Sequence, residues 1–123
     1  MPTVELSKDN FEETVTGSDI VLIDFWAAWC GPCRMFGPVY EKAAERHPDI
    51  VFGKVDTEAQ PELAETFRIS SIPTLMAVRD RRVLYSQPGA LPPHALEELI
   101  DRIRAADMDD VRRQAATRST AGK

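Results

Sequence analysis

The 123-residue sequence predicts an α/β domain: a mixed β-sheet with helices on both faces. Three observations predict it. Two apolar runs of strand character, IVLIDFWA (20–27) and IVFGKVD (50–56), flank one long helical segment, the strand–helix–strand order of a parallel pair. Two further strand-like runs, TLMAVRD (74–80) and VLYSQ (83–87), are separated only by a tight turn, as an antiparallel pair requires. An amphipathic helix, HALEELIDRIRAA (94–106), closes the domain.

Taken in order, TVELS (3–7) alternates apolar and polar residues and reads as a short strand with Val4 and Leu6 on one face. Ser7 is placed to cap a helix over KDNFEETV, with Phe11 and Val15 on one side, and Gly17-Ser18 stops it. The run at 20–27 is rich in β-branched and aromatic residues, as in a strand covered on both faces, and Asp24 interrupts it. RMFGPVYEKAAERH (34–47) reads as a helix with a kink expected at Gly37-Pro38, because proline loses a hydrogen bond and crowds the preceding turn. QPELAETF (60–67) is a short helix with Pro61 in its first turn. The Asp80-Arg81-Arg82 turn lacks the glycine that two-residue hairpins favour. In the terminal helix, Leu96, Leu99, Ile100 and Ile103 share one face. The domain therefore spans residues 1–106. Residues 107–123 form a polar extension whose last ten or so residues read as a frayed or disordered tail.

Composition narrows the function. The net charge of -5 argues against nucleic acid as a main partner. No apolar run approaches the length of a membrane span, so no membrane association is expected. The opening MPTVELSKDN has no basic start followed by an apolar stretch, so the sequence reads as lacking a secretory signal. A cytoplasmic location is the expectation, and there clustered thiols usually carry chemistry and seldom serve as staples.

Both cysteines lie in one four-residue window, Cys30-Gly31-Pro32-Cys33, between a strand and a helix. That places them at a helix N-terminus, where unpaired N–H groups and the macrodipole favour an anion and so favour the reactive thiolate. Cys30 is expected to be the more exposed thiol and the nucleophile. Cys33, inside the first turn, is expected to resolve the resulting mixed disulfide. Pro32 removes an N–H only where the helix has none to lose, and it stiffens the loop. Two other readings are weaker. A zinc site needs two more ligands, and the remaining His47 and His94 are not at zinc-finger spacing. A structural disulfide closing so short a loop restrains the unfolded chain little.

FWAAWCGPCR, followed by SIPT and then by the Gly-Ala of QPGAL, resembles the thioredoxin family, and the likeness runs from about Thr3 to Ala106. Within the family the set looks closest to actinobacterial members. The resemblance implies a central mixed sheet of four to five strands flanked by about four helices. It also implies a protein-disulfide reductase that exchanges a dithiol for a disulfide reversibly. No metal or organic cofactor is then expected on this chain. Electrons would come from NADPH through a thioredoxin reductase, the clients would be diverse disulfide-containing proteins, and the chain would be a monomer.

The resemblance also assigns residues. Asp24 matches a buried acid that takes the Cys33 proton; its apolar neighbours Ile23, Phe25 and Trp26 should raise its pKa. Lys54 matches a lysine that moderates that acid. Pro73 matches a cis-proline opposite the thiols, which leaves the Ile72 backbone free to pair with an extended client segment and keeps metals off the cysteines. Trp29, Gly31, Pro32, Ile72, Gly89 and Ala90 match an apolar client-binding rim, while Trp26 is the better core candidate. Arg34 stands where the family commonly has lysine, and the 80–82 turn departs from the usual glycine-bearing hairpin. The alternatives are a disulfide isomerase on the same fold and a thioredoxin-fold binding module that holds a partner without turnover.

Overall fold

A computed structural model describes the backbone of residues 2–121 and the side chains of residues 2–114. Five strands form one sheet in the order β1-β3-β2-β4-β5. They are β1 (Thr3–Glu5), β2 (Ile20–Trp26), β3 (Val51–Asp56), β4 (Thr74–Arg79) and β5 (Arg82–Pro88). β1, β3 and β2 run parallel, and β4 and β5 are antiparallel additions, so the sheet is mixed as the sequence predicts. The helices are α1 (Phe11–Thr16), α2 (Gly31–Arg46), α3 (Pro61–Thr66), α4 (Pro93–Ala105) and α5 (Met108–Ala121).

Side chains alternate across β2 and feed two cores. Ile20 and Leu22 pack with Phe36, Tyr40 and Ala43 of α2 and with Leu96, Leu99, Ile100 and Ile103 of α4. Val21, Ile23 and Phe25 pack on the other face with Phe11 and Val15 of α1 and Leu63 of α3. A strand buried on both faces must be apolar at almost every position, which is why β2 reads as a continuous run. Asp24 continues the Ile20–Leu22 series, so it faces the α2 layer.

Gly53 on β3 is required by close approach. A Cβ there would overlap the Leu6 Cδ1 methyl, and Leu6 is itself fully buried. The Gly53 carbonyl also accepts the Tyr40 hydroxyl at 2.8 Å inside the core. Gly53→Ala is therefore expected to destabilise the fold by about 1–3 kcal/mol, the scale of overpacking, and a urea melt checks it. An unchanged midpoint would mean that Leu6 has room to move.

Several local expectations change. Ser7 does not cap α1. Its N–H is taken by Asn10 Oδ1 at 2.7 Å and its carbonyl accepts from Asn10 and Phe11, so a turn precedes a helix that begins only at Phe11. Val4 is 41% exposed although Leu6 is buried, because β1 is a sheet edge. α2 is helical through Pro38, in keeping with the helix read over 34–47, and Pro38 sits on the exposed side where water can take the carbonyl that proline leaves unbonded. The β4–β5 turn is a two-residue one, with Asp80 and Arg81 both left-handed at φ 52° and 64° and Arg79 paired with Arg82. That is the hairpin geometry that normally selects glycine or asparagine. Here Arg112 of α5 bonds Asp80 at 2.6 Å and braces the turn.

The tail expected over the last ten or so residues falls on positions whose side chains, and for 122–123 the backbone too, lie outside the described residues; the backbone of the extension is helical from Met108 to Ala121. Its start is well made: Asp107 Oδ1 accepts the Asp110 N–H at 3.1 Å, Asp109 and Asp110 complement the dipole, and Arg112 and Arg113 pair with them one turn on. The Arg79 guanidinium fills the gap between α4 and α5. Its Nη1 donates to the carbonyls of Ile103, Arg104 and Ala106 at 2.8, 3.0 and 3.2 Å, satisfying acceptors left open at the end of α4.

Candidate active site

The two cysteines stand where β2 ends and α2 begins. Cys30 is the N-cap of α2: its backbone is extended at φ -87° and ψ 115°, and its carbonyl accepts the first helical bond, from Arg34 N–H at 3.2 Å. Its Sγ does what a serine or aspartate oxygen does at other helix starts, accepting the Cys33 N–H at 3.2 Å. Gly31 and Pro32 fill the first helical positions, where a missing N–H is harmless. Cys30 and Cys33 are joined as a disulfide, with 5.2 Å between their Cα atoms.

Exposure does not separate the two sulfurs as the sequence suggests. Cys30 is 4% exposed and Cys33 5%. In the oxidised pair Cys30 Sγ is covered by the Cys33 N–H on one side and by the Ile72 carbonyl, 3.7 Å away, on the other. What distinguishes Cys30 is its cap position, since its sulfur is the one that receives a backbone donor.

Because β4 runs antiparallel to β2, its first residues lie beside the end of β2 that carries the cysteines. The Ile72–Pro73 bond is cis. Thr74 Oγ1 donates to the Ser71 carbonyl at 2.6 Å and closes the bend around Ile72 and Pro73. Gly89, at φ 113°, donates its N–H to the Pro73 carbonyl at 2.8 Å. That conformation suits glycine, and it brings Gly89 and Ala90 to the same end of the sheet. Trp29, Gly31, Pro32, Gly89 and Ala90 are exposed, and Ile72 is half-buried. Trp29 is 67% exposed, and its indole N–H donates to Glu58 Oε1 at 2.7 Å. Between Trp29 and Ile72 lies an open groove of about 340 Å³, floored by Ala64 and Ile69 and edged by Thr57, Ser70 and Ser71. The tie from Glu58 to Trp29 and the hydroxyl edge of the groove carry no sequence signal, because both depend on loops brought together by the sheet.

Asp24 is buried at 1% exposure, and its Oδ1 has no hydrogen-bond partner in the protein. Burial pushes its carboxyl up to about 7, against the opposing pull of the Lys54 ammonium. Lys54 is the register partner of Asp24 on β3, half-buried, with Nζ 5.0 Å above the Trp26 ring. Trp26 is thus only partly in the core and serves as a platform for the lysine. Tyr40, on α2, lies near enough for the Asp24 charge to help raise its hydroxyl pKa well above the ordinary value, after burial itself. Among the described residues no cluster of three or more His, Cys, Asp or Glu side chains is placed to hold a metal ion. No helix among them is long and apolar enough to cross a membrane.

Comparison with known proteins gives a consistent result. The thioredoxin family model matches residues 2–102. A Streptomyces coelicolor relative, provisionally named thioredoxin 2, is 66% identical over 114 residues, covering 93% of this chain and 85% of its own. Thioredoxin from Alicyclobacillus acidocaldarius is 43% identical over 96 residues, covering 77% of this chain and 91% of its own. Among solved structures, Plasmodium falciparum thioredoxin superposes with a TM-score of 0.76 at 31% identity, over 81% of this chain and 98% of that one.

Proposed function

This chain belongs to the thioredoxin family of thiol–disulfide oxidoreductases, and we propose that within it the protein reduces disulfides in other proteins through Cys30 and Cys33. One observation carries the direction of attack: the Cys33 N–H points at Cys30 Sγ at 3.2 Å, at the positive end of α2, and so stabilises a thiolate on Cys30. Cys30 Sγ attacks one client sulfur, and the other client sulfur leaves as a thiolate. Cys33 then attacks Cys30 Sγ, closes the Cys30–Cys33 bond and expels the second client thiolate. Two electrons pass to the client, and the oxidised pair in this structure is the product state.

The Cys33 proton must go to a base, and Asp24 supplies one. A carboxyl held at about 7 by burial changes protonation at neutral pH with little driving force in either direction. Lys54 tempers the cost of its charged form. Pro73 and Ile72 present a backbone edge beside the disulfide, and Trp29, Gly31, Pro32, Gly89 and Ala90 form an open rim that accepts an extended client segment. We place the working cycle in the cytoplasm, with a thioredoxin reductase returning electrons from NADPH, diverse client proteins and a monomeric chain. Residues 1–106 form the catalytic domain, and the remainder is an appended extension.

Insulin-disulfide reduction tests this. Wild type is expected to precipitate insulin with dithiothreitol and also with a matched reductase and NADPH; Cys30→Ser is expected to be inactive in both. No activity in the wild type would sink the reductase function and favour a binding module.

A further inference from the structure

At the end of α2 away from the cysteines, five side chains join α2, the turn before β3 and α4. Arg46 Nη2 donates to Glu97 Oε2 at 2.8 Å, and His47 Nε2 meets Glu97 Oε1 at 2.8 Å. On the other side of the imidazole, Arg104 Nη2 lies 3.0 Å from His47 Nδ1 and 3.0 Å from Asp49 Oδ1. Arg104 Nη1 donates to Asp49 Oδ2 at 2.6 Å. The imidazole is half-buried, and its face stacks toward Phe52 of β3 with 6.4 Å between ring centres.

Donor counting fixes the ring proton. A guanidinium only donates, so His47 Nδ1 accepts from Arg104 with its lone pair. The ring then carries its proton on Nε2 and donates it to Glu97. Both hydrogens of Arg104 Nη2 are used, one on Asp49 and one on His47. A second ring proton has to go to Nδ1, where it would set N–H against N–H and positive charge against positive charge at 3.0 Å. The acceptor available to it is the Asp49 carboxylate, which feels both Arg104 and His47. The groups facing the ring are Arg46 from α2, Asp49 from the turn, and Glu97 and Arg104 from α4, with Asp101 acting on Arg104; β3 presents the uncharged Phe52 ring. Its bond to Arg104 holds Asp49 down at about 2. Glu97 also lies below its ordinary value, since burial is outweighed by its bonds to Arg46 and His47. Both carboxylates therefore stay ionised over about pH 5 to 8, the window in which histidine ordinarily changes charge.

We propose that His47 is a proton-operated latch: as the neutral ring it ties α4 to α2 through Arg104, and as the cation it takes Asp49 from Arg104 and releases the last turn of α4 from this corner. That turn also supplies the Ile103 and Arg104 carbonyls that receive Arg79. Acidification would thus loosen the end of the sheet that carries α5, while Cys30 and Cys33 lie at the opposite end of α2. The latch stands apart from the thiol chemistry and does not depend on what the protein reduces.

The test is side-chain nitrogen NMR on the full oxidised chain. At about pH 8.5 the His47 ring should carry its proton on Nε2, and the Arg104 guanidinium, held on its paired side, should give separate Nη signals. At about pH 5 the ring should have gained its Nδ1 proton and the Arg104 Nη signals should have merged, the two changes sharing one midpoint. A ring proton on Nδ1 at the higher pH, or an Arg104 spectrum that ignores the His47 titration, overturns the latch. This wild-type titration needs no variant and decides the matter by itself. His47→Gln removes the titrating group, so Arg104 should then give one spectrum at both pH values. Merging that survives in His47→Gln would assign the change to another group and also overturn the proposal.

Discussion

Asp24→Asn is expected to stabilise the protein in alkaline conditions and to slow its turnover near neutrality. The folded chain holds the Asp24 proton up to about pH 7, whereas an unfolded aspartate releases it near 3.8. The stabilisation this gives is complete below the unfolded value and is lost as pH rises through about 7. Above that, the buried carboxylate costs the fold about 4 kcal/mol relative to its protonated form, at ~1.4 kcal/mol for each pH unit separating the folded and unfolded midpoints. Asparagine has no proton to lose. Urea melts should therefore show wild type and Asp24→Asn close together at about pH 4 and separated by several kcal/mol at about pH 8.5, with the variant the more stable. Stopped-flow release of a client thiol should show the second chemical step slowed most near and above about pH 7, where the wild-type Asp24 carboxylate is ionised and able to take the Cys33 proton. Release rates that match wild type across the whole range would remove Asp24 from the mechanism, whatever the melts show. The exposed Asp49 works at the other end of the scale: its bond to Arg104 holds it down at about 2, so that contact adds stability which fades only as pH falls from about 4 toward 2.

Cys33→Ser should freeze the reaction halfway. Cys30 still attacks, because its cap bond comes from the residue 33 backbone N–H and survives the substitution. The hydroxyl that replaces the resolving thiol does not displace the client, so the mixed disulfide accumulates. Its breakdown should slow by about 10³-fold or more, since release then waits on an external thiol in place of one held a single helical turn away. Intact-mass spectrometry after mixing with an oxidised client reads this directly as one client per chain. Cys30→Ser should give no adduct. An adduct of comparable yield on Cys30→Ser would reverse the roles of the two cysteines.

The parts of the site written in contiguous sequence are the legible ones. The four-residue thiol window, the apolar strand before it and the acid inside that strand are neighbours in the chain, and their meaning follows from helix ends and burial. The apolar face of α4 follows from its period, and all four of its predicted core residues are buried. What escapes depends on contacts between distant segments. The Thr3–Glu41 bond spans 38 residues, and no local pattern marks it. The contact that braces the glycine-free hairpin turn comes from Arg112, 32 residues further on. α5 has weak amphipathic character, so composition alone argues for a tail; its acidic first turn and two ion pairs are present in the sequence as Asp-Asp-x-Arg-Arg. The late start of α1 comes from Asn10 reaching back to Ser7, one of several ways those polar side chains can bond the backbone.

The sheet keeps its two specialised ends apart. The disulfide and Ile72–Pro73 sit where β2 ends and β4 begins, whereas Arg79, Asp80 and α5 sit where β4 ends. Six residues of strand at about 3.4 Å each put roughly 20 Å between them. A label carried on the Asp80-Arg81 turn or on the first turn of α5 would therefore sit on the blunt end of the molecule, with the reactive end facing outward. This geometry suits the protein to work as an immobilised reductant, able to meet clients in solution while anchored by its far side.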